Sequence, residues 1–271
     1  MKKRLILSCL AFSVCMMAGC AGNSDQSTIK SEPYIMIKEN VCTLKDGTCV
    51  SLWKPHEESL ICSYRLENGQ ELLESNLPAT IDNSYTAGLK GYHTMDQKAL
   101  TAALDYYENQ ESKLDIEVLL ENAYEDYTSQ EKGNKKFIPH FAEEDVSPCV
   151  ETERFTGFLT TVDVPEPPDY ESTETKTVTL FDRKTGDVIP VKDLFTISEE
   201  EAIAILAEFC PKENQNELKS SLHLEDIVWM QDAVWIYAPK ELQTDENLMW
   251  SVDISYDELK DYLYPWAIPE A

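Results

Sequence analysis

Residues 176–195 read KTVTLFDRKTGDVIPVKDLF. Lys176 to Asp182 has the make-up of a β-strand, and Asp187 to Val191 is a second short strand-like run. Between them Arg183-Lys184-Thr185-Gly186 supplies a turn, with Gly186 free to adopt a positive φ. The stretch predicts a hairpin, and hairpins build antiparallel sheets. Leu194 and Phe195 close it as anchors for a core. Asp182 and Asp193 sit where carboxylates hydrogen-bond nearby backbone rather than catalyse.

Working outward, Tyr34 to Leu44 and Cys49 to Trp53 read as one hairpin across Asp46-Gly47, and Ile61 to Leu66 as another strand. Residues 67–95 are polar and ambiguous. Leu100, Ala103, Leu104 and Tyr107 recur at helical spacing behind an Asp96 cap. Ile116, Leu119, Leu120, Ala123, Tyr124 and Tyr127 stripe a second helix with an acidic outer face. Ser129 to Lys136 reads as a loop. Thr152 to Val164 reads as a strand, stopped by Pro165-Glu166-Pro167-Pro168. Ser198-x-x-Glu201 is a capping box opening a helix. Ile227 to Met230 and Ala233 to Tyr237 form a late hairpin, and Leu248 to Ile254 adds a strand. Ser255-x-x-Glu258 caps a last helix running through Leu263. Strands and helices mix without regular βαβ alternation. The expected class is therefore α+β, an antiparallel sheet with packed helices, in two parts covering 34–148 and 149–271.

The chain has 271 residues, with 50 acidic and 23 basic side chains and a net charge of −27. Apolar residues at 42% and aromatics at 10% suffice for a sizeable core, which argues against global disorder. The acid excess argues against nucleic acid as a partner, because phosphate contacts need a basic face. It would attract cationic ligands instead.

The N-terminus adds a location. Met1-Lys2-Lys3-Arg4 is a basic start, Leu5 to Met17 is apolar, and Met17-Ala18-Gly19-Cys20 follows. This resembles the lipobox of bacterial lipoproteins, with Met17 in place of the usual Leu. The resemblance implies cleavage after residue 19, a diacylglycerol on Cys20 and a membrane-anchored extracytoplasmic protein. Residues 20–33 then read as a polar tether. No later run is long enough for a second membrane segment. In such a compartment the hairpin around Asp46-Gly47 predicts a Cys42–Cys49 disulfide. Cys62, Cys149 and Cys210 cannot all pair with one another. No CxxC knuckle is present, so zinc is not expected.

Catalytic motifs are missing. His56, His93, His140 and His223 form no HExxH or HxH pattern, and no GxSxG, P-loop, GxGxxG or DxDxDG loop occurs. No catalytic residue, cofactor or metal ligand is assigned. Trp229, Trp235 and Trp266 are the weak candidates for a sugar- or protein-binding platform; Trp266, beyond the last helix, is the one most expected at the surface.

The segment 176–195 resembles the FD-x-x-TG-x-x-x-x-x-x-DLF stretch of a bacterial extracytoplasmic family. That family contains the ectodomain of RsiV, the lysozyme-sensing anti-sigma factor, and a module attached to some peptidoglycan deacetylases. The matching positions are Phe181, Asp182, Thr185, Gly186, Asp193, Leu194 and Phe195. The order downstream fits too: a helix, the hairpin IVWMQDAVWIYAP, a strand and SYDELKDYL. Two segments depart from the family, PEPPDYESTET at 165–175 and APKELQTDEN at 238–247. The resemblance implies a binding module for lysozyme-like cationic proteins or cell-wall components. Two other readings stay open: a cell-wall or carbohydrate enzyme with an unrecognised site, and a structural envelope protein. A carboxylate against His140 or His223 in a pocket would favour the enzyme.

Overall fold

The computed structural model describes residues 34–55, 61–76, 92, 94–110, 112–133, 136–164, 174–238 and 250–270. The expected signal segment 1–19, Cys20 and the expected tether to residue 33 lie outside them, as do His56 and His93. Pro33–Ala271 forms one compact unit.

Seven strands make the main sheet in sequence order: β1 (Tyr34–Thr43), β2 (Cys49–Pro55), β3 (Cys62–Leu66), β4 (Glu71–Ser75), β5 (His140–Glu151), β6 (Phe155–Asp163) and β7 (Thr175–Asp182). Every neighbouring pair is antiparallel except β4 with β5, which is parallel. A parallel pair needs a long crossover. Here it carries α1 (Gln97–Asn109) and α2 (Ile116–Lys132). The fold class is thus α+β with a large, mostly antiparallel sheet.

β4 falls where residues 67–95 gave no pattern. Its signal was Asn68-Gly69, a hairpin dipeptide, with Gly69 at φ 84°. β5 carries Pro148 inside it. The strand tolerates the proline at a register slip between Pro148 and Val150. α2 runs on to Lys132, into the expected loop. Asp96 does precede α1 but makes no capping bond, whereas Asp115 caps α2 by accepting from the Val118 N–H at 3.1 Å.

Two cores lie on opposite faces of this sheet. The first packs Leu52, Tyr64, Leu73, Phe158 and Phe181 against Leu100, Ala103, Tyr107, Leu120 and Ala123 of the helices. The second packs Val150, Phe155, Val178 and Leu180 beneath the C-terminal elements. These are α3 (Glu199–Phe209), α4 (Gln215–Ser221), a small antiparallel sheet and α5 (Tyr256–Leu259). The small sheet has the order β10 (Ser251–Ser255), β9 (Ala233–Tyr237), β8 (Val228–Trp229). The expected 148/149 boundary falls inside β5, so the sheet is continuous across it.

Ser198 caps α3 as expected, accepting from the Glu201 N–H while Glu201 reaches back. The last helix is shorter than its capping box suggested. It stops at Leu259, and Leu263 instead bridges to Phe195. Among the described residues no helix is long and apolar enough to cross a membrane.

The expected Cys42–Cys49 disulfide is not formed. Cys42 lies opposite Val50 and Cys49 opposite Thr43. That offset of one position sends the two side chains to opposite faces of the sheet. Cys42 is buried in the first core, and all five described cysteines are free. Burial pushes the Cys149 thiol up to about 12 and Cys210 up to about 11. Reductant is therefore expected to leave the melting temperature unchanged. Timed alkylation read by mass spectrometry is expected to label partly exposed Cys49 first, Cys149 more slowly because its thiol stays protonated, and buried Cys42, Cys62 and Cys210 only on unfolding. A melting point that falls in reductant would restore the disulfide.

Candidate functional site

The three candidate tryptophans do not form one platform. Trp229 has no exposed surface and packs between Phe195, 6.0 Å away edge-on, and Tyr256, at 6.1 Å. It is a core residue, which corrects its place among binding candidates. β8 is buried on both faces, so its side chains cannot alternate in and out. Trp235, on β9, is half-buried and meets Tyr237 edge-on at 6.3 Å. Trp266 is half-buried on the turn Pro265–Ala267. Exposed Tyr264 stacks on it, the rings nearly parallel with centroids 5.7 Å apart, and the Arg154 guanidinium covers it at 4.2 Å.

The aspartates of the hairpin motif are structural. One Asp182 oxygen accepts from the Lys184 and Thr185 N–H groups at 2.9 and 3.0 Å. Partial burial opposes ionisation there. The two N–H groups and Arg154, 3.8 Å away, outweigh it and hold the carboxyl below its ordinary range. Asp193 is exposed on a 3-10 turn, while Leu194 and Phe195 are buried.

His140 does touch a carboxylate. Its Nε2 lies 3.3 Å from Asp126 Oδ2, and its ring stacks on Phe137. Gln130 donates to the same oxygen at 3.2 Å. The cluster ties the first residue of β5 to α2. His223 is exposed before a 3-10 turn. Among the described residues no three His, Cys, Asp or Glu side chains converge to hold a metal ion.

What sequence reading could not see is which segments meet. The chain enters β7 after residues 165–173 and leaves β9 before residues 239–249; both stretches lie outside the described residues. Their bases come together. Lys176 Nζ sits 5.4 Å from the Tyr237 ring centre and pairs with Glu174. The Ala238 N–H donates to the Trp250 carbonyl at 2.9 Å and closes the second base. Burial raises the Tyr237 hydroxyl, which Lys176 partly counters. No local pattern signals this pairing, because it depends on how the small sheet seats against β7.

A second unforeseen cluster lies on the other half of the large sheet. The Arg65 guanidinium stacks over Tyr34 at 4.1 Å and faces Trp53 at 5.6 Å. Its Nε donates to Ser63 Oγ at 2.8 Å, and an outer nitrogen lies 3.7 Å from Glu71. Ser63 donates to the same Glu71 oxygen. Burial raises the neighbouring Glu74 carboxyl, and Glu71 adds to the shift.

No protein-family model matches the chain, and no curated protein matches it. Its structural neighbours are DUF3298 family proteins. One is the crystal structure of a DUF3298 family protein from Pseudomonas aeruginosa PAO1. It is 12% identical, with a TM-score of 0.38, over 88% of this chain and 97% of that one. Another is a member of the same family from Bacteroides fragilis NCTC 9343. It is 12% identical, with a TM-score of 0.40, over 86% of this chain and 94% of that one.

Proposed function

We propose that this chain is a lipid-anchored extracytoplasmic binding protein whose ligand is a cationic, lysozyme-like protein. The observation that carries the reading is the shared base of the two segments that depart from the family pattern. Residues 165–173 contribute Glu166, Asp169 and Glu171. Residues 239–249 contribute Glu241, Asp245 and Glu246 against Lys240 alone. At the described base Lys176 pairs with Glu174. Two acid-rich segments issuing from one place favour a basic partner and speed its encounter. The lipobox-like Cys20 supports the location.

Calorimetry of residues 33–271 with hen egg-white lysozyme at low and high salt tests this. Saturable one-to-one binding that persists at high salt is expected. Neutralising the six named acids to Gln or Asn is expected to weaken it at least about tenfold. Binding that vanishes with salt, or none at all, rejects the ligand; a soluble cell-wall fragment that binds in its place redirects the reading to wall components. The His140–Asp126 contact is the observation on the side of the enzyme reading. Burial against Phe137 and the bond from Gln130 give it a structural use already.

A further inference from the structure

The corner of the large sheet where the N-terminal tether arrives differs from the rest of the surface. β1 begins there, β2 ends and β3 begins. Tyr34 lies opposite Pro55, Ile35 opposite Lys54, and Met36 opposite Trp53. Ile35, Met36 and Ile37 are consecutive and 51%, 41% and 37% exposed, with Ile35 and Met36 on opposite faces of the strand end, and Ile61, before β3 and across β2 from them, is 37% exposed. These four are half of the large apolar side chains exposed among the described residues. Behind them Arg65 pins the rings of Tyr34 and Trp53. The charges described on these strand ends are Lys38 and Lys54 against Glu39, and the connection from β2 to Ile61 adds Glu57 and Glu58 in sequence.

β1 is a poor template for another strand. Its register slips between Met36 and Lys38 and again between Lys38 and Cys42. Irregularities and an exposed edge lysine are devices that block edge pairing. The corner therefore offers side chains rather than a backbone edge. Apolar side chains flanked by Tyr, Trp and Lys are the composition that settles at a lipid–water boundary.

We propose that this corner seats on the phospholipid surface of the membrane that carries the chain. Ile35, Met36, Ile37 and Ile61 enter the boundary between headgroups and acyl chains. Tyr34 and Trp53 lie at headgroup level, and Lys38 and Lys54 extend their ammonium groups to lipid phosphates. The inference rests on the Cys20 anchor for its setting. Residues 21–33 span at most about 45 Å when fully extended, so the anchor delivers Tyr34 to the bilayer first. β7, which carries Lys176, lies six strands away, roughly 30 Å across the sheet. Seating at β1 thus leaves the base of the acidic segments turned toward incoming protein.

The test uses residues 33–271, one compact unit. The domain is tethered by an N-terminal histidine tag to vesicles of phosphatidylethanolamine, phosphatidylglycerol and a nickel-chelating lipid. An environment-sensitive fluorophore is placed at Met36→Cys or, as a control, at Lys219→Cys, each in a Cys49→Ser background. On tethering, the probe at 36 is expected to blue-shift and brighten at least about twofold, as on leaving water for the headgroup boundary. The probe at 219 is expected to stay aqueous. A probe at Ile61→Cys is expected to lose its shift when Ile35, Met36 and Ile37 are changed to Ser. An aqueous spectrum at 36 on tethered protein overturns the proposal. So does a shift that appears without vesicles and grows with protein concentration, which would assign the corner to a second copy. Cys20→Ala in the full chain tests the anchor separately. Unchanged membrane fractionation would remove the anchor, while the tethered domain, which lacks Cys20, still decides the seat.

Discussion

Trp229→Ala is expected to destabilise the domain by about 3–5 kcal/mol, the range for truncating a large buried aromatic. In a domain of this size that lowers the melting temperature by about 10 °C. The cause is position. Trp229 is wholly buried and packs against Phe195, which ends the 176–195 stretch, and Tyr256, which opens α5. Tyr256 in turn donates to the Met230 carbonyl at 2.7 Å, so the cavity would open where three segments lock together. Trp229→Phe is expected to cost only about 1–2 kcal/mol, because the ring contacts survive in part. The indole N–H has no hydrogen-bond partner to lose. Urea unfolding of both variants checks this. A Trp229→Ala midpoint equal to that of the parent would return the residue to the binding candidates.

Gly186→Ala is expected to cost about 2–5 kcal/mol, from two separable causes. Gly186 sits at φ 80°, where an L side chain costs about 1–2 kcal/mol. A Cβ there would also lie 2.6 Å from the Ala102 Cβ and 2.8 Å from the Ala99 carbonyl oxygen. The second neighbour is helix backbone, so α1 itself must shift, which adds about 1–3 kcal/mol. α1 has little freedom to do so. The Asp96 N–H donates to the Arg183 carbonyl at 3.1 Å, and the Arg183 guanidinium donates to the carbonyls of Thr94 and Thr152. Gly69→Ala is the control. Its φ is 84° with nothing near a Cβ, so only the backbone cost applies. The difference between the two variants, read by urea unfolding, isolates the contact with α1. Equal losses would mean that the turn does not bear on the helix.

That contact gives the TG pair of the 176–195 stretch a physical meaning no local pattern contains. Local reading treated Gly186 as a turn residue, and it is one. It is also the point where the β7 turn touches a helix some eighty positions earlier in the chain. Trp229 is similar. Tryptophan in a hairpin reads equally well as surface or core, and only the seating of β8 between β9 and the second core decides. Cys42 and Cys49 mislead for the opposite reason. Their spacing fits a hairpin, but the three-residue loop between Leu44 and Thr48 sets a register one position away from bringing the thiols together.

The sequence by itself determined the elements whose signals are local. The hairpins at Asp46-Gly47 and Gln231-Asp232, the stripes of α1 and α2, and the capping boxes at Ser198 and Ser255 each depend on a few neighbouring residues, whose backbone preferences act before any packing. Tertiary structure decided the features that need distant partners. β4 joined the sheet in parallel with β5, and Pro148 was accepted inside a strand because a register slip spared the ladder. His140 reached Asp126, Arg65 gathered two aromatic rings, and Lys176 met Tyr237. Each arises because burying two apolar faces of one sheet fixes which strands are neighbours, and that choice is made by the whole core rather than by any window of sequence.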